Sequence, residues 1–161
     1  MTDVPTATAH TTNPTETSAP AVSPAPKKGA LGRNPYVWGT GRRKTAVARV
    51  RIKPGSGKFL VNNREADAFF CVEHDRQFVR TPLKVTDTIK TLDVFVNVRG
   101  GGITGQAGAV TLGLARALAS YNPDFEPALR AGNLMTRDSR KVERKKYGQS
   151  GARRRFQFSK R

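Results

Sequence analysis

The stretch Leu92-Asp93-Val94-Phe95-Val96-Asn97-Val98-Arg99-Gly100-Gly101-Gly102-Ile103-Thr104-Gly105 decides the fold. Its first eight residues alternate, with Leu92, Val94, Val96 and Val98 on one face and Asp93, Phe95, Asn97 and Arg99 on the other. That period predicts a half-buried strand whose valines face the core. The glycines then stop the strand, and the period changes. From about Thr104 to Ser120, Ala107, Val110, Leu114 and Leu118 fall on one helical face. Gly108, Gly113, Ala115 and Ala119 keep that helix slim enough to lie close on a sheet, and Asn122-Pro123 ends it.

Upstream, Thr45 to Ile52 alternates in the same way. Ala46, Ala48, Val50 and Ile52 form an apolar face; Thr45, Val47, Arg49 and Arg51 form a cationic one. Pro54-Gly55-Ser56-Gly57 reads as a hairpin turn, with Lys58 to Val61 returning as a second strand. Arg64 to Phe70 reads as a short helix with Ala66, Phe69 and Phe70 inward. Another is expected to start at Thr81-Pro82, with Thr as cap and Pro in the first turn. Three or four strands mixed with helices over residues 36–130 suggest a two-layer α+β sandwich, in a segment long enough for one modest core.

Gly100-x-Gly102-x-x-Gly105 matches the dinucleotide fingerprint, and Asp124 falls about twenty residues on. The match fails on context. The fingerprint needs a second parallel strand after the helix, and Asn122-Pro123-Asp124-Phe125-Glu126-Pro127 cannot supply one. The glycines are better read as a tight turn, one whose bare backbone can approach a phosphate or one that is purely structural. Gly55-Ser56-Gly57-Lys58 lacks the spacing and the Ser/Thr of a P-loop. One cysteine and two histidines, His10 and His74, exclude a zinc cluster and leave no catalytic set. Cys71, within Phe69-Phe70-Cys71-Val72, is expected to be a small buried hydrophobe, and His74 a solvated helix residue. No cofactor, metal or enzymatic activity is expected, and no apolar run approaches the ~20 residues of a membrane span.

The charge points to nucleic acid. The chain of 161 residues carries +17. Residues 1–35 contribute +1, residues 36–130 contribute +7 and residues 131–161 contribute +9, from eleven cations against Asp138 and Glu143. The first zone is an expected disordered extension, since nineteen of its first 26 residues are Thr, Ala, Pro or Ser. It has no apolar core of a secretory signal, and Asp3 and Glu16 argue against a mitochondrial presequence; a plastid transit peptide stays open. The last zone cannot bury enough apolar surface to offset its ordering entropy, so it is expected to stay extended until a polyanion neutralises it. A short helix capped by Asp138 is expected within Thr136 to Lys146. Arg153, Arg154 and Arg155 stand beside Phe156 and Phe158, a mixture suited to phosphates and unpaired bases. Arg42, Arg43 and Lys44 follow two glycines and feed the strand bearing Arg49 and Arg51. Phosphate binding is the expected use of that cluster, although phosphate contacts position a protein without reading sequence.

Taken together, these segments resemble the bacterial small-subunit ribosomal protein S-nine family. The resemblance rests on Gly39 to Val50 (GTGRRKTAVARV), Val94 to Ala109 (VFVNVRGGGITGQAGA), Leu114 to Leu118 (LARAL), Thr136 to Arg140 (TRDSR), Glu143 to Lys146 (ERKK) and Gln157 to Arg161 (QFSKR). It covers about residues 36–161. It implies an α+β domain with a small mixed sheet, a left-handed βαβ crossover and a long basic C-terminal tail. It implies ribosomal RNA binding in the head of the small subunit, beside neighbouring head proteins. The expected rRNA contacts are Arg42, Arg43, Lys44, Arg49 and Arg51 on the domain, and Arg137, Arg140, Lys141, Arg144, Lys145, Lys146, Arg153, Arg154 and Arg155 on the tail. It implies that Ser159, Lys160 and Arg161 reach the anticodon stem-loop of P-site tRNA. It implies a cytoplasmic ribosome, with an organellar one as the alternative. The family's usual residue at position 156 is Pro; Phe156 leaves the backbone freer and can stack on a base. The rival class is a free-standing protein that packages RNA and DNA indiscriminately.

Overall fold

The computed structural model describes residues 35–159. The expected disordered extension, all but Pro35, lies outside the described residues, as do Lys160 and Arg161. In chain order the elements are β1 (Val37–Arg43), β2 (Ala46–Pro54), β3 (Phe59–Val61), β4 (Arg64–Glu65), α1 (Ala66–Phe69), α2 (Glu73–Val85), β5 (Leu92–Arg99), α3 (Ile103–Tyr121), a 3-10 turn (Pro123–Phe125) and α4 (Glu126–Ala131). The fold is mixed α+β, with a small mixed sheet in the order β1-β2-β5-β3-β4. The β1–β2, β2–β5 and β3–β4 pairs are antiparallel, and β3–β5 is parallel.

The two alternating strands form as their patterns predict. Ala46, Ala48, Val50 and Ile52 of β2 and Leu92, Val94, Val96 and Val98 of β5 are all buried in one core with Ala107, Val110, Leu114 and Leu118 of α3. Helix α3 lies across β1 and β2, with α2 and α4 packed against it. Strand β1 has no counterpart among the elements expected from sequence, because its glycines carry no apolar alternation. They serve close packing. A Cβ on Gly39 would sit 2.2 Å from the Gly113 carbonyl oxygen, and one on Gly41 would sit 1.9 Å from that of Ala109. Only a bare backbone lets this strand touch the helix.

Several expectations are corrected. Pro54 to Gly57 does not close a hairpin, because β5 lies between β2 and β3. The turn instead wraps a carboxylate: the Ser56, Gly57 and Lys58 N–H groups donate to Asp93 Oδ1 at 2.8, 3.1 and 3.0 Å. Asp93, expected to face away from the core, is therefore buried. Burial alone would raise its pKa, but the three backbone donors and Lys53 at 3.9 Å together hold it below the usual carboxylate value. The stability it adds is present at neutral pH and lost as pH falls through that lowered value.

The helix expected from Thr81-Pro82 begins much earlier. Pro82 sits inside α2, where its missing N–H would leave the Phe78 carbonyl without its helical donor. The Thr111 hydroxyl, reaching from α3, lies 3.2 Å from that oxygen and 3.0 Å from the Ala107 carbonyl. Thr111→Val keeps the shape and removes the donor. It is expected to cost about 1–2 kcal/mol in urea denaturation; an unchanged midpoint would show that the Phe78 carbonyl needs no protein partner.

Cys71 is exposed, not buried. The break between α1 and α2 turns Phe70 fully inward and leaves Cys71 and Val72 in solvent. The helix expected within Thr136 to Lys146 does not form. Arg137, Arg140, Lys141, Arg144 and Lys145 would meet one another at three- and four-residue spacing on a helix, and like charges there are destabilising. Arg64 to Phe70 splits into the short strand β4 and the single turn of α1, although Ala66 and Phe70 are buried as expected.

Candidate nucleic-acid interface

Residues opposite the core leave one face of the sheet open. Trp38, Thr40, Arg42, Arg49, Asn97 and Arg99 are exposed, and Arg51, Lys53 and Phe95 are half-buried. The register sets Trp38 beside Arg51, Arg51 beside Phe95, Thr40 beside Arg49 and Arg49 beside Asn97. Cations and rings interlock: Arg49 lies 5.7 Å from the Trp38 ring centroid, and Arg51 lies 5.5 Å from both Tyr36 and Phe95. Arg49 and Arg51 thus stand where the alternation puts them. Sequence reasoning misses Trp38, Lys53 and Arg99 as site residues, the first because β1 does not announce itself as a strand. Continuing the alternation two residues back from Thr40 would find it.

The hairpin between β1 and β2 presents Lys44 and Thr45 as its two loop residues. Lys44 holds a φ of 51°. Every other non-glycine residue described with positive φ is Asn or Asp, types that tolerate it. Glycine would adopt this backbone conformation at less cost than lysine. The exposed turn Gly100 to Gly102 lies alongside, with Gly101 close to Ala46, and it leads into α3 without a side-chain cap.

Arg43 goes elsewhere. Its guanidinium donates to the Thr104 carbonyl at 3.1 Å and to Asp138 Oδ2 at 3.3 and 3.2 Å, and its stem packs over Gly108. It therefore ties the domain to the start of the tail. Asp138 also accepts from the Arg140 backbone N–H at 3.0 Å and from its guanidinium. Arg140 first, then Arg43, holds the Asp138 carboxyl far below the usual carboxylate range. Leu134 is buried just before this knot.

Among the described residues no helix or strand follows α4. Glu143 accepts two hydrogen bonds from Arg153, at 2.9 and 2.6 Å, which lower its pKa. The pair closes a loop in which Gly148 takes a φ of 66° and the Ser150 and Gly151 N–H groups donate to the Arg154 carbonyl. Both tail carboxylates are thus held by arginines. Arg137, Lys141, Arg144, Lys145, Lys146, Arg154 and Arg155 are exposed or nearly so, and none is in an ion pair among the described residues. Tyr147, Phe156 and Phe158 are exposed as well. Ser159 is exposed at the end of the described chain. No group of His, Cys, Asp and Glu among the described residues could hold a metal, and no described helix is long and apolar enough to cross a membrane.

Residues 41–161 match the family model described as Ribosomal protein S9/S16. Two curated proteins, each named Small ribosomal subunit protein uS9, come from Anaeromyxobacter sp. strain K and Anaeromyxobacter dehalogenans strain 2CP-1. Each is 54% identical over 121 residues, covering 75% of this chain and 93% of the relative.

Proposed function

The chain belongs to the ribosomal protein S9/S16 family, and from that membership we propose how its charged surfaces are used. The family is one of ribosomal structural proteins and not of enzymes; this chain is a structural protein of the small ribosomal subunit, working within the ribosome. In the proposed arrangement the domain docks on small-subunit rRNA in the head through Arg42, Lys44, Arg49 and Arg51, beside neighbouring head proteins. Arg43 holds the tail root. Arg137, Arg140, Lys141, Arg144, Lys145, Lys146, Arg153, Arg154 and Arg155 line the tail's path through RNA. Ser159, Lys160 and Arg161 meet the anticodon stem-loop of P-site tRNA. The β3–α2–β5 connection is read as the family's left-handed crossover.

One observation carries the reading. Eleven tail cations face two carboxylates, and both carboxylates are already engaged by arginines. The other described tail cations form no ion pair among the described residues, and they suit a polyanion that enters from outside. Crosslinking the chain to RNA in cells, then sequencing the attached fragments, tests it. Discrete sites on small-subunit rRNA, with tRNA anticodon loops joined to the tail, are expected. A diffuse spread over messenger RNA and DNA would sink the proposal and favour a packaging role.

A further inference from the structure

We propose that the open sheet face is a stacking platform for unpaired RNA nucleotides, anchored by Trp38. The inference deepens the RNA-binding reading above and rests on it, since it names which form of RNA this face takes.

A face meant only to clamp duplex phosphates needs cations and no rings. This face carries both. Trp38 is 50% exposed although it lies within a strand, flanked by the Arg49 guanidinium. Tyr36 and Phe95 meet edge to face at 6.2 Å, with Arg51 over both rings and Lys53 5.4 Å from Phe95. The rings hold long cationic side chains against the sheet, so less rotamer freedom remains to be lost on binding. Guanidinium planes beside an open indole give bases flat apolar surfaces and give phosphates their counter-charge.

Charge also favours a polyanion. Asp93 is the sole acid on β1, β2 and β5, and its oxygens are taken by the turn N–H groups and Lys53. Bases in a duplex are already stacked and cannot lie on Trp38; unpaired ones can. An acidic protein would use the cations but has no flat aromatic ligand for the indole as a matter of course.

The test uses the full chain, in which Trp38 is the sole tryptophan. Its fluorescence is followed while a short oligouridylate, or an RNA duplex of equal phosphate count, is added; anisotropy of a label on the RNA reports binding independently. Oligouridylate is expected to quench Trp38 and duplex to leave it nearly unchanged. Trp38→Leu is expected to weaken oligouridylate binding roughly 10-fold or more, with duplex binding nearly unaffected and Trp38→Phe restoring most of the loss. Oligouridylate that binds without quenching, or a duplex that quenches equally, overturns the proposal while RNA binding stands. The first of these would leave the face to an acidic protein partner. Failure of both RNAs to bind would overturn this inference and the RNA-binding reading together.

Discussion

Gly41→Val is expected to cost more than ~4 kcal/mol, enough to leave little folded protein in a domain whose whole stability is about 5–15 kcal/mol. The obstacle is backbone. A Cβ at position 41 would lie 1.9 Å from the Ala109 carbonyl oxygen and 2.4 Å from the Gly113 nitrogen, so α3 would have to lift from β1. Lifting it opens the core at Val50, whose side chain already packs on Gly113. Gly39→Val should behave alike, facing the Gly113 carbonyl at 2.2 Å. Gly102→Ala is the control: a Cβ there meets nothing within 4 Å, and a change below about 0.5 kcal/mol is expected. Thermal denaturation reads all three. A Gly41→Val chain melting within a degree or two of the parent would mean that the helix does not sit against this strand.

Ending the chain after Thr136 is expected to cut RNA affinity at low salt by about two to three orders of magnitude. The shortened chain keeps Leu134 and Met135 against the core but loses all eleven tail cations. If the whole chain neutralises about eight phosphates, its log–log salt slope should be on the order of −6, and the shortened one should fall to roughly −2 to −3. Equal slopes would place binding on the domain alone and refute the tail's proposed role. Removing only Ser159, Lys160 and Arg161 is expected to spare RNA binding and subunit assembly yet speed tRNA loss from the P site. Unchanged tRNA dissociation in ribosomes carrying that truncation would refute the proposed tip contact.

How much of this can be read from the chain depends on where each residue's partner lies. Strands β2 and β5 and helix α3 declare themselves, because burial of one face leaves a periodic trace in the element's own residues. Strand β1 does not: Gly39 and Gly41 look like turn residues, and their purpose is a helix some seventy residues later. Pro82 reads as a helix start because its compensation, Thr111, belongs to another element. Asp93 follows the alternation yet is buried, since a turn formed by residues 55–58 folds over it. The candidate interface is legible as charge: Arg49, Arg51 and the tail cations from Arg137 to Arg155 are exposed or half-buried as their pattern suggests. Its finer division is not. That Arg43 turns back to Asp138 while Arg42 and Lys44 stay in solvent depends on a contact spanning ninety-five positions.

The place of β5 between β2 and β3 has a consequence in time. Strand β2 ends at Pro54 and β5 at Arg99, so forty-five residues separate the completion of one from the arrival of its neighbour. At about 5–20 residues per second, synthesis leaves the β1–β2 hairpin without that neighbour for roughly 2–9 s, whereas a hairpin itself closes in about 1–10 μs. Through that interval β3 has nothing to pair with in parallel, and the apolar side of β2 waits for α3 as well. The nascent chain is then a cationic ribbon with two raw edges, and its window for misassociation is set by elongation speed.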